Sequence, residues 1–281
     1  MDVVVIPVWR RADFLLATLT RLEIINDPEV SYLISVDRGY SPDVLTAIDE
    51  FSGSMGLDRV KVIHRVHRFK GNSFNVLSSL REACDRGPEL VHLVEEDVLV
   101  GRDYFTYHRQ VHDLVPDAFS VSACRNQRFP LKGDPPPHED AVYRDASYQS
   151  VGVSFRPDQL SYPLAHVTSR YFSNPIGYCR RIFPNSFIPP GNAEQDGLLH
   201  RVLEQTDSFT VYPMIPRAYH AGFVGYHRRG EELKGTLWER AERILSMTSE
   251  ELNSCAHSYP DHATIDLDGD RKPVSRIGTW P

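Results

Sequence analysis

The chain has 281 residues, of which 41% are hydrophobic, 25% charged and 10% aromatic, ordinary globular proportions that exclude wholesale disorder and fibrous architectures. Its 31 basic and 38 acidic side chains leave a net charge of −7, a balance not built around a nucleic-acid backbone, though it leaves room for a local basic groove. No apolar run approaches the roughly 20 residues of a membrane span.

The first half alternates strand and helix. Residues 3–8 form a short continuous apolar run, the pattern of a strand covered on both faces. Apolar residues at helical spacing follow over 11–22. A second strand at 32–36 closes on Asp37-Arg38-Gly39, and a helix begins after Ser41-Pro42, with proline at an early helical position. A third strand is predicted at 60–63, a helix at 72–84, and a fourth strand at 90–94 that ends in Glu95-Glu96-Asp97. A helix at 103–114 and a fifth strand at 119–123 complete the series. Strict alternation implies an α/β fold with a mainly parallel central sheet flanked by helices. From 129 to 190 the sequence is rich in Pro, Tyr and Arg and weakly periodic, and Asp134-Pro135-Pro136-Pro137 reads as a mobile loop. Helices are predicted again at 193–205 and 237–252, and the last thirty or so residues are polar. The expected organisation is one domain: a ligand-binding half (1–127), an irregular second half (128–230), and a C-terminal helix and tail (231–281).

Ligands of open α/β sheets sit beyond the carboxyl ends of the strands. Those ends carry Trp9, Arg10 and Arg11 after strand one, Asp37 and Arg38 after strand two, His64, Arg65, His67, Arg68 and Lys70 after strand three, and Glu95, Glu96 and Asp97 after strand four. Three clustered carboxylates flanked by cations suit a divalent metal with a phosphorylated ligand: carboxylate oxygens hold a hard cation, and guanidinium groups grip phosphate. Each element also has a plainer reading. The acid trio fits a solvated turn, Asp37 a turn before glycine, and Arg10 and Arg11 a solvated helix start. The basic run 59–70 alternates with Val60, Val62 and Val66, as an exposed edge strand does, and a surface stripe is favoured over a nucleic-acid contact.

Three segments carry a family resemblance: LISVDRG, HRFKGNSFNVLSSLREA and LVEEDVLVGRDYFTYHRQVHDLVPDAFSVSACRNQ. In order and spacing they resemble nucleotide-sugar glycosyltransferases of the GT-A fold, most closely the N-acetylglucosaminyltransferase I type, over roughly the first 127 residues. The resemblance implies a donor site at Pro7, Val8, Arg10, Arg11, Asp37, Arg38, Gly71 and Asn75. It gives Glu95 a contact to the donor sugar, Glu96 (where the family has Asp) a contact to the ribose, and Asp97 the metal, Mn²⁺ or Mg²⁺. The segment NAEQDGLLHRVL resembles the acidic start of an acceptor-side helix, which makes Asp196 the catalytic base and Glu194 its alternate. A helix-terminal acid favoured by the macrodipole is the plainer reading there. YHAGFVGYHRRG supplies His220 as a second metal or phosphate contact, and His227 and Arg228 as diphosphate contacts.

The expected activity is transfer of a sugar from a nucleoside-diphosphate sugar, UDP-linked, to an acceptor hydroxyl with inversion; the acceptor is a glycan, a small molecule or modified DNA. Alternatives are a sugar-nucleotidyltransferase, disfavoured by the glycine-free first loop Pro7-Val8-Trp9-Arg10-Arg11, a non-catalytic nucleotide-sugar or carbohydrate-binding protein, and a glycosyltransferase of modified DNA bases. Cys84, Cys124, Cys179 and Cys255 are scattered without a CxxC pair, and the N-terminus lacks a basic leader, so a reducing cytoplasm is expected.

Overall fold

In the computed structural model, residues 1–66, 69, 71–124, 141–189, 191–214 and 216–221 are described, with the backbone of one further strand at 276–279. Strand β1 (Asp2–Val8) is buried along its whole length, as the unbroken apolar run requires. Its side chains alternate between two cores. Val4, Ile6 and Val8 pack with Leu15, Leu19 and Leu22 of α1 (Ala12–Ile25) and Val44, Ile48 and Phe51 of α2 (Pro42–Met55). Val3 and Val5 face the opposite layer, with Val76, Leu77 and Leu80 of α3 (Asn72–Cys84). Each such side chain contributes about 1.5–3 kcal/mol by leaving water. Helix α1 stops at Asn26, whose φ of 41° is left-handed and whose N–H bonds Leu22 O at 2.9 Å.

The remaining elements, in chain order, are β2 (Val30–Val36), β3 (Val60–His64), β4 (Val91–Leu93), β5 (Val98–Val100), α4 (Tyr104–Leu114), β6 (Ser120–Ser122), β7 (Ala141–Asp145), β8 (Val153–Phe155), α5 (Pro157–Ala165), α6 (Ser169–Ser173), α7 (Pro175–Ile182), α8 (Gln195–Gln205), β9 (Thr210–Pro213), β10 (Ala218–His220) and β11 (Arg276–Thr279). The large sheet has the order β11-β7-β9-β6-β8-β4-β1-β2-β3. The β3-β2-β1-β4 portion is parallel, as the sequence predicts. The sheet as a whole is mixed. β8 enters antiparallel between β4 and β6, and β7 is antiparallel to β9.

The described part of the segment expected to be irregular is in fact regular. Residues 141–189 form two strands and three short helices. Prolines begin two of those helices instead of breaking them: Pro157 opens α5 and Pro175 opens α7. Thr168 and Asn174 cap the starts of α6 and α7 by accepting the N–H groups of Tyr171 and Gly177. Helix α8 begins at Gln195, two residues after the predicted start. Leu160 of α5, Cys179 of α7 and Leu198 of α8 lie in the same buried cluster as Val3, Leu77 and Leu93, so one core runs across the two halves. The 134–137 loop and the predicted helix at 237–252 lie outside the described residues. No helix among the described residues is long and apolar enough to cross a membrane, and Cys84, Cys124 and Cys179 are free thiols.

Three histidines are sealed between β4 and α4. His92, His108 and His112 are all buried. Ser154 Oγ joins His108 Nδ1 at 2.6 Å to His112 Nε2 at 2.9 Å, and His92 Nε2 lies 3.5 Å from Asp2 Oδ2. Arg109, which bonds Asp2, and Arg156, which bonds the His112 carbonyl, complete the charged surroundings. Burial lowers all three imidazoles, His112 to about 3, with Asp2 only partly opposing it at His92. Folded values below the unfolded value mean that the stabilisation is complete above about pH 6.5 and declines as pH falls below it. His112 alone should cost about 2 kcal/mol at pH 5. Thermal melts at pH 7 and pH 5 check this: a clear fall in midpoint is expected, and equal midpoints would contradict it.

Candidate active site

The chain proceeds from β1 outward to β2 and β3, then returns to β4 on the other side of β1. A crevice therefore opens between the carboxyl ends of β1 and β4. The rungs joining the two strands end where Val94 N bonds Val5 O at 3.0 Å. By the alternation of the strand, residue 7 would direct its N–H towards β4, and Pro7 has none. Pro7 and Val8 are thus buried strand residues that shape the crevice from behind, paired in register with Ser35 and Val36.

Glu96 sits in the crevice with only 5% exposure. Its Oε2 accepts the Trp9 N–H at 2.8 Å and its Oε1 accepts Arg11 Nε at 2.7 Å, while its carbonyl accepts Thr18 Oγ1 at 3.0 Å. Burial raises its pKa above the ordinary carboxylate value, and Arg11 pulls the other way. Arg11 also donates from Nη1 to Asp97 Oδ2 at 2.6 Å. This guanidinium fork is the solvated pair Arg10-Arg11 resolved: Arg11 is a clamp across two buried carboxylates. The two carboxylates in turn hold Arg11 above its ordinary range despite its burial.

His220 reaches Asp97 by a route the sequence does not display. β10 pairs antiparallel with β5 in a separate ribbon, setting His220 opposite Val98. The Ala221 N–H bonds the Asp97 carbonyl at 2.8 Å, and His220 Nε2 lies 3.3 Å from Asp97 Oδ2. Just before that strand, buried Arg217 pairs with half-buried Asp103 at 2.8 Å. Burial favours the neutral acid at Asp97, but His220 and Arg11 outweigh it and hold the carboxyl well below the usual range. Glu95, half-buried, is pushed up to about 8 by burial and by the charges of Asp97 and Asp196.

Asp196 and Glu194 are exposed at the start of α8, and Asp196 lies close enough to act on Glu95. Two features hold this helix start. Gln195 N–H bonds Ser73 Oγ at 3.0 Å, tying the first turn of α8 to that of α3. Arg201, buried, donates to the carbonyls of Ile188, Pro189, Asn192 and Gly197. Gly197 is obligatory here, since a Cβ would lie 2.0 Å from the Asn192 carbonyl oxygen. Gly197→Ala should therefore lose at least about 1–3 kcal/mol by overpacking against backbone, read as a lower urea midpoint. A midpoint equal to that of the unsubstituted protein would contradict the close approach.

Asp37 is buried, with Oδ1 accepting Arg38 N–H at 2.7 Å and Oδ2 accepting Gly71 N–H at 2.8 Å. It joins the end of β2 to the start of α3, where Gly71 takes a φ of 99°. Asn75 lies behind the site. Its amide brackets Ser35, with Oδ1 at 2.5 Å from Ser35 Oγ and Nδ2 donating to Ser35 O at 2.8 Å. At the rim, Trp9 Nε1 donates to Arg38 O at 3.1 Å and Arg10 Nε to Gly39 O at 2.5 Å, with the Arg10 guanidinium 4.5 Å from the Trp9 ring centre. Of the described members of the basic run, Lys61 and His64 are exposed and the two arginines are engaged within the fold. Arg59 bonds Asn26, Asp27 and Val30, and Arg65 bonds Ser35, Ser79 and Glu82. His67, Arg68 and Lys70, and likewise His227 and Arg228, lie outside the described residues. A separate cavity of about 620 Å³ opens beside Arg59, Lys61 and Arg86 and contains none of these candidate residues.

No protein-family model and no curated protein matches the sequence. Among solved structures, the chain is similar to the galactosyltransferase LgtC in complex with donor and acceptor sugar analogs, at 13% identity and a TM-score of 0.50, covering 92% of this chain and 98% of that one. This chain has the fold of GT-A glycosyltransferases. The mannosyltransferase PcManGT from Pyrobaculum calidifontis, in complex with GDP-Man and Mn²⁺, matches at 13% identity and a TM-score of 0.45, over 92% of this chain and 76% of its own. S. aureus TarS 1–349 matches at 10% identity and 0.46, over 75% of this chain and 60% of its own length.

The donor set at Asp97 suits a divalent cation in kind, a carboxylate with an imidazole beside it. Among the described residues no three Asp, Glu, His or Cys side chains converge as a full metal cage. Cations such as Mg²⁺ are commonly held by one or two carboxylates with substrate phosphates completing the sphere. Asp97 fits that pattern.

Proposed function

We propose that this chain is a glycosyltransferase that moves a sugar from a nucleoside-diphosphate sugar to an acceptor hydroxyl. The observation that carries the reading is the meeting of Glu95, Asp97, Asp196, Arg11 and His220 at the crevice between β1 and β4. Likeness to solved glycosyltransferases supports it at the level of fold. The three N-terminal segments favour the N-acetylglucosaminyltransferase I type and a UDP-linked donor.

In this reading Asp97 and His220 would hold a divalent cation, Mn²⁺ or Mg²⁺, whose charge stabilises the departing diphosphate. Asp37 keeps the nucleoside end in shape by fixing Gly71. Glu95 borders the space for the transferred sugar. Asp196 takes the proton from the attacking hydroxyl as the bond from the anomeric carbon to the diphosphate breaks, and attack from the opposite face inverts that carbon. Holding both substrates in one cleft supplies a large part of the acceleration.

A screen of nucleotide-sugar hydrolysis with and without Mn²⁺ tests this without knowledge of the acceptor. Release of one nucleoside diphosphate above background is expected. Neither hydrolysis nor binding of any nucleotide sugar would leave the non-catalytic carbohydrate-binding reading in its place. Transfer to DNA has less support, since Arg59 and Arg65 of the basic run are engaged within the fold.

A further inference from the structure

Helices α6 and α7 meet at Asn174, and a cavity of about 420 Å³ opens beside the junction. Arg170 and Arg181, one from each helix, both line it, with Ser169, Asn174 and Tyr178. No Asp or Glu is among the described residues around it. The 620 Å³ cavity differs on this point, since its cations Arg59, Lys61 and Arg86 are joined by Asp58 and Glu89. Among the described residues neither Arg170 nor Arg181 pairs with an acid. The sequence sharpens the contrast. Residues 159–193 include Arg170, Arg180 and Arg181 and not one Asp or Glu, in a chain whose 38 acids outnumber its 31 bases. Two guanidiniums lining one cavity repel each other, and an anion between them turns that repulsion into attraction.

The walls are fixed by the fold. The Tyr178 hydroxyl lies 3.0 Å from His166 Nδ1, its ring meets Tyr171 edge-on at 5.7 Å, and the Arg181 guanidinium lies 5.8 Å from the centre of that ring. Ser173 Oγ donates to Ser169 O at 2.7 Å and closes the single turn of α6. Asn174 Oδ1 accepts the Gly177 N–H at 2.9 Å, which leaves its Nδ2 as a donor. Gly177 also lines the cavity, and a Cβ there would lie 2.5 Å from Asn174 Nδ2, so the cap closes over a position that has no room for a side chain. The lining is thus rich in donors: two guanidiniums, an amide and the Ser169 hydroxyl.

We infer that the cavity between α6 and α7 binds a phosphate monoester, gripped by Arg170 and Arg181, with Ser169 and Asn174 donating to the remaining oxygens. A phosphate monoester suits the lining better than a carboxylate does. It carries a charge of about −1.5 to −2 at neutral pH, which matches two guanidiniums, and it offers three acceptor oxygens. The volume is that of a small-molecule site and leaves room for the group that bears the phosphate. None of the residues around this cavity belongs to the crevice between β1 and β4, so the inference does not depend on the glycosyltransferase reading.

The test uses calorimetry with inorganic phosphate and glycerol 3-phosphate, without divalent metal and at low ionic strength, where screening is weakest. Co-sedimentation with phosphatidylcholine vesicles, with and without phosphatidic acid, covers a lipid headgroup as the source of the phosphate. Arg170→Gln and Arg181→Gln each remove one charge from the cavity. Arg180→Gln removes the same charge from an exposed neighbour that does not line it. All three side chains are exposed, so the variants should fold, and thermal melts check that they do. Each cavity variant should bind phosphate about 10- to 100-fold more weakly, the loss of a hydrogen bond to a charged group, and Arg180→Gln should bind it as the unsubstituted protein does. That pattern with glycerol 3-phosphate assigns a free phosphate ester, and the same pattern seen only on phosphatidic acid vesicles assigns a lipid headgroup. Equal losses in all three variants overturn the inference, because general attraction to a basic surface would then account for binding. Phosphate binding that survives in both cavity variants overturns it, and so does the absence of binding to every probe.

Discussion

Asp196→Asn is expected to leave donor and metal binding nearly intact while transfer collapses by about 10²–10⁴-fold, the usual contribution of a general base. A base is needed only when a hydroxyl attacks, so a defect confined to transfer separates an enzyme from a binding protein. The side chain is exposed at the first turn of α8, and the helix start is held by Arg201, Gly197 and Ser73. The amide should therefore fold normally, and circular dichroism checks that it does. Glu194→Gln is the control and should retain far more activity. The opposite ranking moves the base to Glu194. Small, equal effects of both point away from an inverting displacement. An NMR time course of the first-formed product decides the stereochemistry: retention at the anomeric carbon would sink the inverting assignment.

The second large effect is at Asp97. Asparagine preserves its shape and removes the charge shared by Arg11 Nη1 at 2.6 Å and His220 Nε2 at 3.3 Å. Arg11 keeps its bond to Glu96 at 2.7 Å, so the clamp is weakened on one side only. Stability should fall by about 1.5–3 kcal/mol, the value of a hydrogen bond to a charged group. The functional loss should be greater: Mn²⁺-dependent nucleotide binding, measured by calorimetry, should disappear together with Mn²⁺-stimulated donor hydrolysis. Metal-dependent binding that survives in Asp97→Asn removes Asp97 from the ligand set.

What could be read from the sequence follows the range of the interactions involved. Helix α3 has the bounds expected from periodicity, because Gly71 before it and Asp85 after it are local signals. Strands β1 to β4 declare themselves as apolar runs, and the acid trio stands out at the end of one of them. β8 and β10 do not, because three residues carry no period and each is defined by a partner distant in the chain. Arg11 reads as a donor contact or, more plainly, a solvated helix start, yet its partners lie 85 and 86 positions away. The same holds for Arg65, which looks like part of a surface stripe until Ser35 and Glu82 fold against it. Prolines in 141–189 mislead in the other direction, since at a helix start the missing N–H costs nothing.

The middle acid of the trio has a geometric consequence. Glu96 is anchored at its carbonyl to Thr18 and at both carboxylate oxygens to Trp9 and Arg11. It is a spacer of fixed length between the end of β1 and the loop leaving β4. An aspartate, one methylene shorter, would not reach both Trp9 and Arg11 unless the two chain segments moved together. The gape of the cleft is thus set by the length of one side chain that lies beneath it. A glutamate in the middle of the trio is a matter of architecture as well as of contact: it fixes how wide the mouth stands before any ligand arrives.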